Sequence, residues 1–140
     1  MQTALKRAAT AAALWLATIA TGHAGVIAKV DLGSQAMQVY VDGKLRHSWP
    51  IASGRRGHET PTGNYRPQRL ERDWHSRQYD DAPMPYSVFF SGGYAIHGGY
   101  AKLGRPASHG CIRLTTANAA KLYRLIADHG RSDTRIVIDG

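Results

Sequence analysis

The chain has 140 residues and a formal net charge of +8, from eighteen Lys and Arg against ten Asp and Glu, with 43% hydrophobic residues. That supplies one packed core, and the length excludes a multidomain enzyme. The single cysteine excludes an internal disulfide framework.

Residues 1–24 read as an export signal. Lys6 and Arg7 form the charged start, Ala8 to Ala20 is apolar, and Gly22-His23-Ala24 offers small residues at both critical positions of a cleavage site. The apolar run is shorter than the ~20 residues of a spanning helix. Cleavage after Ala24 leaves one domain over 25–140, with sixteen basic and ten acidic side chains. The expected location is the periplasm or cell envelope. There the remaining basic excess serves solubility or peripheral contact with an anionic wall or membrane surface, and nucleic acid is not an expected partner. A monomer is expected.

The exported part is expected to be mainly β. Val26 to Leu32 and Gln35 to Val41 alternate apolar and polar residues, and Asp42-Gly43 is a hairpin turn leading to Lys44 through Ile51. Ser53 to Gly63, rich in Gly, Arg and Thr, is a loop that can border a site, with Arg55, Arg56 and His58 either solvated or facing acidic groups of a substrate. Arg66 to Pro85 shows little periodicity and reads as an irregular excursion or flap, with Trp74, Tyr79 and Met84 either anchoring it to the body or lining a groove. Tyr86 to Phe90 and Tyr94 to His97 are strands around the turn Ser91-Gly92-Gly93. Cys111 to Leu114 is a buried strand end. An amphipathic helix follows, capped by Thr115 or Thr116, with Ala119, Leu122, Tyr123 and Ile126 on one face and Gly130 as its stop. Arg135 to Asp139 closes the chain as a core strand.

Chemistry concentrates at Ser108-His109-Gly110-Cys111. A lone cysteine is a buried hydrophobe, an intermolecular bridge or a reactive thiol, and two imidazoles near this one favour the last. A free thiol has a pKa of about 8.5, so an adjacent imidazolium is expected to stabilise its thiolate. The thiolate would attack a carbonyl, with backbone N–H groups around Gly110 and Cys111 holding the oxyanion, and an amine or water would resolve the thioester. His109 lies two residues from Cys111 on the same extended segment, where the rings do not converge without a bend. His97 comes from another strand, with Gly98 and Gly99 leaving its edge open, and is the expected base. His109 then becomes an oxyanion-side or supporting group with Ser108. Arg113, two past the nucleophile, faces the same side and can meet a substrate carboxylate. A zinc site on His97, His109 and Cys111 is disfavoured because His-x-Cys is an unusual ligand spacing, so no cofactor is expected. The rival readings are a non-catalytic wall-binding module and a redox sensor.

His97, a ten-residue loop that starts at Gly98, and Ser108-His109-Gly110-Cys111-Ile112-Arg113-Leu114 together resemble the L,D-transpeptidase catalytic domain (YkuD-like) of bacterial cell-wall enzymes. The likeness extends to Thr60-Pro61-Thr62-Gly63 and to the approach from Met84-Pro85-Tyr86 to Tyr94, a further candidate for substrate contact. It implies a β-sandwich or barrel-type domain with one helix near the C-terminus. It also implies that the Gly98 carbonyl orients His97. The implied substrate is a peptidoglycan stem peptide, cleaved between an L-centred diamino acid and a terminal D-Ala. The acyl group would pass to an amine on another stem or on an attached envelope protein, whereas some relatives hydrolyse such bonds instead.

Overall fold

The computed structural model describes residues 25–99 and 102–140, so the export signal expected over 1–24 lies outside the described residues. Strands β1 (Val26–Asp31) and β2 (Ala36–Val41) bury every second side chain, and β3 (Lys44–Pro50) completes an antiparallel meander. Asp42 and Gly43 carry φ of 51° and 81°, the pair of positive values that lets a two-residue turn follow the strands' twist. The last strand, β9 (Thr134–Asp139), lies parallel to β1, and the short β4 (Gly63–Tyr65) pairs with its other edge. The order of this sheet is β3-β2-β1-β9-β4.

A second sheet has the order β5 (Arg69–Ser76), β6 (Ala82–Ser91), β7 (Tyr94–Gly98) and β8 (Ile112–Leu114), with β7 and β8 parallel. Here the structure corrects the expectation for residues 66–85. The segment is a hairpin, with β5 paired to β6 from Arg69↔Phe89 to Ser76↔Ala82. Its lack of periodicity follows from β5 being an edge strand without a regularly buried face. Pro83 and Pro85 fit because β7 pairs with β6 only from Val88 onward, which leaves the earlier part of β6 with one unpaired side. Trp74 and Met84 do anchor the segment. The Trp74 ring meets Phe89 edge-on at 5.5 Å, and the Arg69 guanidinium lies 3.8 Å from the centre of the Phe89 ring.

Helix α1 (Thr116–His129) starts at Thr115, whose Oγ1 accepts from the Asn118 N–H at 3.1 Å, and stops at Gly130 with φ 94°. Its apolar face packs on β6 and β7. One core joins the sheets and the helix: Val30 and Val39 from the first sheet, Phe90 and Ile96 from the second, Leu122 and Ile126 from α1. Each such large side chain stabilises the fold by about 1.5–3 kcal/mol. The domain is thus mainly β, two-layered, with one late helix.

Candidate active site

The parallel register His97↔Arg113 and Ile96↔Ile112 sorts the side chains of β7 and β8 by face. Ile96 and Ile112 enter the main core. His97 and Arg113 therefore point the other way, as do Ala95 and Cys111 two residues earlier. On that outer face Cys111 packs against a separate small cluster of Met84, Phe89 and Ala95. The predicted base, nucleophile and arginine thus share one face of two adjacent strands. Gly98 has to be glycine here, because a Cβ would lie 2.7 Å from the Cα of Thr116 at the start of α1.

The loop that carries the thiol is laced to the loop following β3. Ser53 O accepts from the N–H groups of Ala107 and Ser108, Arg55 N–H donates to Ser108 O at 2.9 Å, and isolated bridges join Gly54 to Ser108 and Ala52 to Arg113. Buried Thr60 bonds twice: its hydroxyl donates to Gly110 O at 2.7 Å and accepts from the Gly54 N–H at 2.9 Å. Ser108, also buried, donates to Cys111 O at 2.5 Å and accepts from the Gly110 N–H at 3.1 Å. Ser108 therefore shapes the turn. The Gly110 N–H is engaged there, so Gly110 contributes loop shape rather than a free oxyanion donor. Its φ of 127° and the Tyr94 ring, 2.5 Å from where a Cβ would stand, both require glycine. Tyr94 is thereby a wall of the nucleophile loop, its ring partly exposed.

His97 is buried, and its Nδ1 lies 2.6 Å from Gly98 O. A carbonyl only accepts, so Nδ1 carries the proton and Nε2 keeps its lone pair. Burial lowers the ring's pKa to about 4, outweighing the upward pull of the Gly98 carbonyl, and the Arg113 cation lowers it further. Burial likewise raises the Cys111 thiol, against smaller opposing effects of the Ala95 backbone and Arg113. The resting pair is accordingly a neutral thiol and a neutral imidazole, not the imidazolium-stabilised thiolate expected from sequence. The thiol donates weakly to Gly93 O at 3.8 Å.

His109 has other neighbours. Its ring stacks on Tyr79 at the hairpin tip, with centroids 4.1 Å apart and planes 9° apart, and meets His58 edge-on at 5.4 Å. Partial burial and the neighbouring Arg55, His58 and Arg113 lower its pKa. Arg113 has no carboxylate partner among the described residues, where the close basic–acidic contacts are Arg69–Glu71 and His75–Asp81. Sequence reasoning missed three roles: Thr60 as a clamp, Tyr79 as the cover of His109, and the Gly93 carbonyl as the partner of the thiol. Thr60 and Tyr79 had left signals, the one in Thr60-Pro61-Thr62-Gly63 and the other as an aromatic anchor of the segment 66–85, whereas a backbone carbonyl leaves none.

A family model described as the L,D-transpeptidase catalytic domain matches residues 25–138, and the chain belongs to that family. Among solved structures, an L,D-transpeptidase from Stackebrandtia nassauensis is 28% identical with a TM-score of 0.73, over 83% of this chain and 56% of that one. One from Xylanimonas cellulosilytica is 25% identical with a TM-score of 0.71, over 85% and 62%. One from Mycobacterium smegmatis, at 24% identity and a TM-score of 0.72 over 84% and 59%, is alike in fold. The chain thus spans about three fifths of each of these proteins. No curated protein matches it.

Proposed function

We propose that the protein is an exported L,D-transpeptidase that forms an acyl-enzyme on Cys111 with peptidoglycan stem peptides. The observation that carries this reading is the 2.6 Å contact of His97 Nδ1 with Gly98 O, which leaves Nε2 basic on the face that bears Cys111. As the thiol turns from Gly93 toward Nε2, its proton passes to the ring while sulfur attacks the carbonyl of the residue before D-Ala. The imidazolium then gives that proton to the departing D-Ala nitrogen as the C–N bond breaks. An amine of a second stem or an envelope protein attacks the thioester, loses its proton to His97, and releases the thiol. Water in place of the amine gives the hydrolytic variant. Neutral reactants suit a buried site, because charge appears only as the reaction proceeds. Arg113, free of internal carboxylates, holds a carboxylate of the donor, and His109 with Ser108 keeps the loop in shape. Residues 1–24 serve as the export signal that delivers the enzyme to the periplasm or cell envelope.

Intact-mass measurement during incubation with a stem tetrapeptide tests the reading. The expected result is a transient adduct on Cys111 with release of D-Ala, absent in Cys111→Ala, and a cross-linked product when an amine acceptor is added. Normal turnover by Cys111→Ala would sink the proposal.

A further inference from the structure

Five of the described residues other than glycine have a positive φ, and four of them, Gln35, Asp42, Asp80 and Asp81, stand in turns between strands. The fifth, Tyr86, has φ 54° inside β6, where a bulky side chain is disfavoured in the left-handed region. The β5–β6 hairpin changes face at that point. Toward the body of the domain, Leu70 of β5 and Val88 and Phe90 of β6 enter the main core, as does the partly buried ring of Tyr86. A regular ladder keeps every second residue on one face, so Trp74 and Met84 belong by count on that same core side. They lie instead in the small cluster with Phe89 and Ala95, against which Cys111 packs. No residue is inserted to account for this, because Leu70↔Val88, Glu71↔Ser87, Asp73↔Pro85 and Trp74↔Met84 keep one register, and the pairing missing from it is that of Arg72 with Tyr86. Ser87 closes the bend. It is buried, and its Oγ donates to Met84 O at 2.7 Å, a contact that residues three apart in an extended strand, roughly 10 Å from each other, do not make. The Tyr86 ring meets the Tyr123 ring of α1 edge-on at 5.6 Å, which seats it on the helix.

We infer that Tyr86 is a positioning residue for the thiol: its left-handed backbone, held by the Ser87 bond, turns the outer half of the hairpin over, so that Trp74 and Met84 complete the apolar wall against which Cys111 packs. The backbone conformation carries this role, and the tyrosine ring does not. With regular alternation through residue 86, Met84 would side with Val88 and the thiol would meet water on that flank. The inference rests on Cys111 as the reacting group of the reading given above, and it concerns how that group is sheltered.

The test reads the thiol with no peptide present. Cys111 is the only cysteine, so the mass gained by the full chain on alkylation with iodoacetamide, followed from about pH 6 to 10, reports on it alone. Burial raises the thiol's pKa in the intact protein, so alkylation is expected to be slow at neutral pH, with a midpoint above the ordinary value of about 8.5. Tyr86→Gly, Tyr86→Asn and Tyr86→Val all remove the ring, but only glycine and asparagine accept a φ near 54° readily. Tyr86→Gly and Tyr86→Asn should keep the wild-type profile. Tyr86→Val should lower the midpoint and speed alkylation at neutral pH about ten-fold, the gain in thiolate that accompanies a midpoint one pH unit lower. Identical profiles in the three variants overturn the inference, whether or not they differ from wild type, as does a midpoint in Tyr86→Val no lower than in Tyr86→Gly. If Tyr86→Val does not fold, Ser87→Ala decides in its place: a lowered midpoint supports the bend as the cause, and an unchanged one overturns it. The nucleophile is decided separately by the tetrapeptide adduct on wild-type protein. An adduct with identical alkylation profiles refutes only the positioning role, and a lowered midpoint in Tyr86→Val without an adduct refutes only the acyl-transfer reading.

Discussion

His97 gives the sharpest quantitative test, because its ring is buried at 6% exposure and stays neutral down to about pH 4 rather than 6.5. The unfolded chain binds a proton at this residue as pH falls through 6.5, whereas the folded chain resists until about 4. Between those values the unfolded state carries more protons, so stability is full above 6.5, falls as the pH drops, and levels off below about 4. The difference corresponds to about 3 kcal/mol, or roughly 10 °C in Tm for a domain of this size. Other groups titrate in the same range, so the informative quantity is the stability of the wild type minus that of His97→Gln. Urea unfolding at intervals from pH 7.5 to 4 should show this difference shrinking by about that amount. The acylation rate should follow the same group, with an acid limb near pH 4 that His109→Ala leaves in place. A constant stability difference, or a limb near 6.5, would refute the neutral buried ring.

Three further substitutions probe the loop. Thr60→Val keeps the shape but strands the Gly110 carbonyl and the Gly54 N–H, so a loss of about 3 kcal/mol is expected in urea unfolding, with slower acylation; an unchanged midpoint would remove the clamp. Gly110→Ala meets both a φ of 127° and the Tyr94 ring, for roughly 2–4 kcal/mol, and pairing it with Tyr94→Ala should recover only the steric part. Arg113→Gln should fold normally and raise KM for tetrapeptide about ten-fold, and an untouched KM would end its binding role.

Much of the fold was legible because burial imposes a rhythm on sequence. Val26 to Val41 alternates because one face of β1 and β2 is sealed in the core, and α1 shows its period because Ala119, Leu122 and Ile126 are buried together. Where burial is weak the rhythm fails. Strand β5 has no sealed face to impose alternation, and the three residues of β4 are too few for a period, so both escaped notice. At the site, Cys111, His97 and Arg113 could be picked by residue type and spacing. The pairing of loop 53–63 with residues 107–113 could not, because Ser53, Gly54 and Arg55 join it through backbone groups that any sequence possesses. The resting protonation was also hidden, since it depends on the apolar packing of Met84, Phe89 and Ala95 around the thiol.

The place of β9 has a bearing on how the chain acquires its shape. Translated from its amino end, the chain offers β1, β2 and β3 first, yet the inner neighbour of β1 is the ninth strand, more than a hundred residues downstream. Until Thr134 to Asp139 exist, one flank of β1 has no ladder, β4 has nothing to pair with, and Ile136 and Ile138 are missing from the core. Such long-range closure is slow, and it cannot begin on an incomplete chain. The growing polypeptide consequently cannot close its first sheet until its last strand has been made.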